Sequence, residues 1–330
     1  MYFVINNFPK ISYYFNDNFK EANGIPGTMK RNLISMLDVK NDLDKIIDLA
    51  IKLKIKAKKG ESIELLKGKT LGMIFEKSST RTRVSFEVGM TKLGGNAIFL
   101  SKNDIQLGRG ETIEDTAIVL SRYCDLIMYR AISNKAMKQL AKYATVPVIS
   151  GLDNKEHPCQ VITDLMTIKE KKGNLKNLNF VYIGDGSNNM AHSYLLGCAI
   201  SKMNIKIVAP KHYWPDDFFV KEAKKFKIKV EVTDVIEKST KNVDVVATDT
   251  WTSMGDEAEK EKRNKDFKGY TINTTIMSQA KPDAIFMHCL PAYYGLEVTK
   301  EVAHGPQSVI FDEAENRMWA QIAIMVTLCK

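Results

Sequence analysis

Glu76-Lys-Ser-Ser-Thr-Arg-Thr-Arg-Val-Ser-Phe-Glu-Val-Gly-Met90 follows the apolar run Leu71-Gly-Met-Ile-Phe75. An apolar run of strand length, a hydroxyl-rich turn, and then Phe86, Met90 and Leu93 at helical intervals predict a strand, a loop and a helix N-terminus. The first N–H groups of a helix have no partner inside the helix, and the macrodipole makes that end positive, so a phosphate dianion is favoured there. Ser79, Thr80 and Thr82 add hydroxyl donors, and Arg81 and Arg83 add planar forks that match phosphate oxygens. The plainer reading is an ordinary N-cap with solvated arginines. Charge placement speaks against it: a cation near a helix N-terminus costs up to ~1 kcal/mol against the dipole, so two arginines there point to an anion between them.

Working outward, short apolar runs recur at Ala97–Leu100, Asp125–Tyr129, Val146–Ser150, Phe180–Ile183, Lys206–Val208, Lys229–Val232, Val243–Ala247 and Ala284–Met287. Between many of them stand segments of helical periodicity: 111–123 with Ile113, Ala117 and Leu120; 161–171 with Val161, Leu165 and Ile168; 191–202; and 216–226. A helix over 38–53 precedes the first strand, with Asp38 or Asn41 as its cap, and a helix over 313–328 closes the chain. Strands alternating with helices predict two open α/β domains with mainly parallel sheets. The boundary falls near residues 155–175, in line with a 330-residue chain exceeding one typical domain. Arg81, Arg130, His157, Asn189, Asp249 and Cys289 all lie just beyond the carboxyl end of a predicted strand. That edge is where open α/β sheets bind ligands, so one cleft between two domains is expected.

Composition excludes several classes. The chain is 44% hydrophobic and 26% charged, with a net charge of +9, an ordinary globular composition. Its lysine clusters at 54–59 and 221–229 lack the interleaved aromatics of a nucleic-acid platform, so the basic balance points to small anionic substrates. Cys124, Cys159, Cys198, Cys289 and Cys329 are dispersed and contain no C-x-x-C pair, which suggests a reducing, cytoplasmic setting and neither a disulfide framework nor a zinc site. No apolar run approaches the ~20 residues that span a bilayer. Residues 1–28 fit neither a transit peptide nor a secretory signal and read as a loosely held N-terminal extension.

Other motifs carry competing readings. Gly184-Asp-Gly-Ser-Asn-Asn189 suggests a dinucleotide loop, but the third glycine position holds Asn189, and no acidic residue follows the strand at 206–208. His288 and Cys289 are adjacent, so they point in opposite directions and form no dyad. A buried structural cysteine is the simple alternative. His157 before Pro158 could be a helix cap, and Asp249 could cap the turn after it or face an amino group.

Taken together, Ser79-Thr-Arg-Thr-Arg83, Arg130, His157-Pro-Cys-Gln160, Asp249 with Ser253-Met-Gly255, and His288-Cys-Leu-Pro291 resemble the motif set of the carbamoyltransferases, most fully that of the ornithine carbamoyltransferases. The resemblance spans about residues 30–330. It implies a carbamoyl-phosphate-binding domain over 29–160, an ornithine-binding domain over 161–305 and a C-terminal helix, 306–330, returning to the first domain. The implied contacts are Ser79, Thr80, Arg81, Thr82, Arg130, His157, Gln160, Cys289, Leu290 and Arg317 with carbamoyl phosphate, and Asn189, Asp249, Ser253 and Met254 with ornithine. Gln106 resembles the residue that such homotrimers lend to a neighbouring subunit's site, and Leu290-Pro291 is implied to be cis. The implied reaction is attack of the δ-amine of L-ornithine on the carbonyl of carbamoyl phosphate, giving L-citrulline and phosphate, with no metal or organic cofactor required. Arg81, Arg130 and His157 are suited to stabilise the oxyanion and leaving group, and Asp249 and Cys289 to bind and orient the amine. Such a site serves arginine synthesis and breakdown alike. Cys159 and Tyr293-Tyr294 depart from the usual pattern. Putrescine or another amine as acceptor, and a non-catalytic binding subunit of the same fold, are the alternatives.

Overall fold

The computed structural model describes residues 30–107, 109–252 and 257–329. The 1–28 extension lies outside them, as do Ser253 and Met254. Two sheets form the framework. The first contains β1 (Thr70–Phe75), β2 (Asn96–Ser101), β3 (Leu126–Arg130) and β4 (Val148–Leu152) in the order β2-β1-β3-β4. The second contains β5 (Asn179–Ile183), β6 (Asn204–Val208), β7 (Val230–Thr233), β8 (Val245–Thr248) and β9 (Ile285–His288) in the order β7-β6-β5-β8-β9. Every pairing within them is parallel. Parallel neighbours require crossovers, and helices on both faces bury most of the strands, which read as continuous apolar runs, while the edge strands β2 and β7 stay partly exposed.

The helices are α1 (Leu43–Lys58), α2 (Thr80–Lys92), α3 (Ile113–Leu120), α4 (Asn134–Tyr143), α5 (Pro158–Lys172), α6 (Asn189–Ile200), α7 (Asp217–Lys224), α8 (Lys260–Asp266), α9 (Thr274–Met277), α10 (Lys300–Ala303) and α11 (Ile310–Leu328). Neither Asp38 nor Asn41 caps α1. Ser35 and Asp38 instead form a reciprocal capping box on a 3₁₀ turn at Met36–Val39, and Asp42 precedes α1 without a side-chain cap. Helix α4, on the β3–β4 crossover, was not expected.

Each sheet reverses its strand order once, between β1 and β3 in the first and between β5 and β8 in the second. Crevices open at these switch points, at the carboxyl ends of the strands. The Glu76 carboxylate ties the first one together, accepting from the Tyr129 hydroxyl and the Ile132 N–H, both at 2.8 Å. Helix α5 joins the two domains. Helix α11 packs on α1, α2 and α5, so the chain closes back on the first domain. Thirteen residues of α11 are buried, more than one apolar stripe supplies, because neighbours enclose it on several sides.

Candidate active site

Strand β1 ends in Phe75 and α2 begins at Thr80. Ser79, in extended backbone at φ −163°, caps the helix by accepting the Thr82 N–H at 3.3 Å. Arg81, in the first turn, reaches across to donate to the Leu290 carbonyl at 2.6 Å. Arg83 goes elsewhere, against expectation: its guanidinium stacks on Phe99 at 3.7 Å and pairs with Glu87. An aromatic face and a neighbouring carboxylate thus compensate that cation, and of the two arginines it is Arg81 that lines the cleft.

Behind this turn is a buried array of cations. Thr82 is fully buried, and its hydroxyl receives Arg317 at 2.7 Å, Ser79 at 3.0 Å and Arg130 at 3.4 Å. It therefore serves as a common anchor for two guanidiniums. Arg130, at the end of β3, also donates to the Gly151 carbonyl. Burial, then Arg317 and Arg81, push its pKa down to about 9, which leaves it charged at neutral pH. His157, the N-cap residue of α5, donates its own N–H to Ser193 Oγ at 2.7 Å, and Arg317 lies 3.1 Å from its Nε2. Burial first, and Arg317 and Arg130 next, hold that ring well below the usual histidine pKa, so it is neutral with Nε2 accepting. Three buried side-chain donors here have no partner: Arg130 Nε, Arg317 Nε and His157 Nδ1. Unsatisfied buried donors are costly, and all three belong to residues that line the cleft.

The facing wall comes from the second domain. Asp249 Oδ1, after β8, accepts the Thr250 N–H at 2.8 Å and the Cys289 thiol at 3.3 Å. Burial raises the Asp249 pKa, opposed by His288 and by these hydrogen bonds. Burial and the facing carboxylate push the Cys289 thiol well above its ordinary value, so it is protonated and donating. His288 is not turned to the opposite side, as adjacency suggested: one of its ring nitrogens lies within 4.8 Å of the Cys289 sulfur. Its Nδ1 accepts the Leu290 N–H at 2.8 Å and its Nε2 lies 3.2 Å from Glu297. Asp249, His288 and Cys289 hold ligand-type atoms within 4.8 Å of one another, but both ring nitrogens of His288 are engaged. The Leu290-Pro291 peptide is cis, with Leu290 at φ 59°. Asn189 begins α6 and donates to the Asp153 carbonyl at 2.7 Å, which ties the second domain to the loop before α5.

These walls enclose a cleft of about 680 Å³. Ser79, Thr80, Arg81, Thr82, Arg130, His157, Asn189, Asp249, Cys289, Leu290 and Arg317 all line it. Gln160 does not: its amide oxygen accepts from Arg317, and its nitrogen donates to Asp164 at 2.8 Å and Glu313 at 3.1 Å. Gln106 is exposed on the loop after β2 and is absent from the lining. Sequence reasoning missed Leu152, Asp153, Asn154 and Asp185, which also line the cleft. Leu152 has φ 147°, a region that favours glycine. The available signal was its place just past the apolar run that ends at Ser150, beside Gly151.

Residues 31–170 match the family described as aspartate/ornithine carbamoyltransferase, carbamoyl-P binding domain, and residues 176–328 match its Asp/Orn binding domain. The chain is 51% identical to the ornithine carbamoyltransferase of Methanosarcina acetivorans over 303 residues, 92% of this chain and 100% of the relative. It is 50% identical to a catabolic ornithine carbamoyltransferase of Thermoplasma volcanium, over 91% of this chain and 98% of that one. The structure of ornithine carbamoyltransferase from Pyrococcus furiosus superposes with a TM-score of 0.86 at 48% identity, covering 90% of this chain and 96% of that one. Two domain matches in the right order, half the residues shared along nearly the whole length, and the same two-lobed fold lead to one conclusion: the chain belongs to the aspartate/ornithine carbamoyltransferase family.

Proposed function

We propose that this chain transfers the carbamoyl group of carbamoyl phosphate to the δ-amine of L-ornithine, releasing L-citrulline and phosphate. The observation that carries this reading is the opposition of two walls in one cleft. On one side are a capped helix N-terminus and the guanidiniums of Arg81, Arg130 and Arg317; on the other are Asp249, Cys289 and Asn189. A dianion suits the first wall and an aminated acceptor the second. The relatives near 50% identity, named for ornithine, support that acceptor over putrescine or aspartate.

In this reading the phosphate sits on the N–H groups that open α2, with Ser79, Thr80 and Arg81 around it, and Arg130 and Arg317 behind. The carbamoyl oxygen takes up the orphaned donors, among them His157 Nδ1. As the neutral δ-amine attacks the carbonyl carbon, negative charge grows on that oxygen, and donors fixed in a dry cleft stabilise it without reorganising. The C–O bond to phosphate then breaks, phosphate leaves toward the arginines, and the proton shed by the amine ends on the departing phosphate oxygen as hydrogen phosphate. Asp249 pairs with a substrate amino group, and the protonated Cys289 thiol orients that carboxylate. By the resemblance, Ser253 and Met254 are further ornithine contacts.

The acting unit in this reading is a cytoplasmic homotrimer in which the exposed Gln106 loop reaches a neighbour's cleft. Val84, Val88, Ile98, Ile118 and Tyr123 are exposed on the first domain, and a buried contact with a second copy would cover them. Among the described residues, no helix is long and apolar enough to cross a membrane.

The test is ureido-product formation from carbamoyl phosphate with ornithine, putrescine or aspartate. Citrulline formation that falls at least about 100-fold in Arg81→Ala is expected. Equal or greater turnover of putrescine would reject the proposal.

A further inference from the structure

Beneath the cleft lie two acidic side chains that the mechanism above does not use. Asp164 on α5 and Glu313 on α11 are 0% and 1% exposed, and both carboxyls are held by the same Gln160 Nε2, which brings them side by side. Each carboxyl oxygen accepts a bond. Asp164 Oδ1 takes Gln160 Nε2 at 2.8 Å and Oδ2 the Tyr194 hydroxyl at 2.7 Å; Glu313 Oε1 takes Gln160 Nε2 at 3.1 Å and Oε2 the His288 N–H at 3.0 Å. Two carboxylates brought together on one amide nitrogen in a dry interior do not both ionise, so the pair retains one proton. The remaining single charge offsets that of Arg317, whose guanidinium donates to the Gln160 oxygen.

Glu313 thus holds both lobes at once. Through Gln160 it sets the position of Arg317, which reaches Thr82 and His157. Through the His288 N–H it sets the end of β9, from which Cys289 and the cis Leu290-Pro291 turn project. Resting on the carbamoyl-transfer reading, we propose that Glu313, joined to Asp164 by one shared proton, is a positioning residue that fixes Arg317 and the Cys289–Leu290 turn at a common spacing across the cleft.

The two acids differ in what an amide can replace. In Asp164→Asn the new NH2 group can face Tyr194, whose hydroxyl turns round to accept. In Glu313→Gln it meets an N–H donor on either side, Gln160 or His288. Gln160 cannot flip in response, because its oxygen is held by Arg317.

Both variants are made in the full chain and assayed by steady-state citrulline formation. Glu313→Gln should raise KM for carbamoyl phosphate about tenfold and lower kcat, with KM for ornithine changed less than about threefold. Asp164→Asn should stay within about threefold on all three. If Glu313→Gln fails to fold, Glu313→Asp, too short to reach both partners, should give the same split. The shared proton is read separately, in a Glu156→Gln background that removes the band of that other buried carboxyl, as an infrared carboxylic-acid carbonyl band at neutral pH that is present in the parent and lost in both amide variants. Unchanged carbamoyl-phosphate kinetics in Glu313→Gln, or equal effects on both substrates, would overturn the positioning role. A band that survives in either variant would overturn the shared proton. An unaltered chain that forms no citrulline would instead overturn the activity, and the infrared arm would still decide the proton.

Discussion

Cys289 shows how surroundings decide a residue's role. Cysteine beside histidine invites a nucleophile reading, yet a nucleophilic cysteine needs a depressed pKa, and here burial and Asp249 push the thiol the other way. Its part is to donate a hydrogen bond. Cys289→Ser should therefore keep citrulline formation within about tenfold, since a hydroxyl donates to Asp249 as well or better, and iodoacetamide should modify the unaltered chain slowly at neutral pH. Rapid alkylation, or complete loss in the serine variant, would show that a thiolate takes part. Arg83 and Thr82 carry a similar lesson. Both stand in the stretch that announces the anion site, but Arg83 turns to Phe99, and the Thr82 hydroxyl is consumed by arginines. Residue types along a helix start indicate an anion; which side chains remain free for it depends on neighbours distant in sequence.

At the scale of elements, the strands were legible and the network between them was not. All nine apolar runs became strands within two residues at each end, because a parallel strand covered on both faces must be apolar throughout. Helix α4 was missed: its stripe is only Met137, Leu140 and Ala141 among lysines. The four-residue helices α9 and α10 are too short to show periodicity. The strand-end rule placed six chemistry-bearing residues in one cleft, but the ties among Gln160, Asp164 and Glu313 span about 150 positions and leave no local pattern. The loop before α5 adds a pH dependence. Glu156 is buried, accepts the Met36 N–H at 2.9 Å, and is raised to about 7 by burial, opposed by Met36 and Ser35 and aided by Asp153 and Asp38. A carboxyl near ~4.3 when unfolded and about 7 when folded binds more protons in the folded state. Its contribution is full below the unfolded value and is lost as pH rises toward 7. Glu156→Gln removes this titration, so its Tm relative to the unaltered chain should rise by about 3 °C or more between about pH 5 and pH 8. A constant difference across that range would mean the carboxyl does not titrate as described.

At the scale of the molecule, two sheets with one switch point each face a shared crevice, and α5 and α11 hold them there. This division of labour explains why the cations come from one lobe and the acceptor-facing groups from the other. It also leaves Gln106 outside its own chain's cleft. In the trimeric reading, a site with an intact Gln106 and an intact Arg81 can form between two defective chains. Gln106→Ala and Arg81→Ala, each impaired alone, should regain part of the activity when dissociated, mixed and reassembled. A mixture no more active than its components would place each site within a single chain.

In the carbamoyl-transfer reading, carbamoyl phosphate is held by the mouth of α2 and the buried arginines, while the amine arrives from the opposite lobe. A crystal structure with a stable mimic joining a phosphonate to the ornithine δ-nitrogen tests it most directly. The account predicts phosphonate oxygens on the Ser79–Thr82 backbone, Arg81 and Arg130, with the amino-acid end beside Asn189 and Asp249. A mimic bound to one lobe alone, or with its two ends reversed, would contradict it.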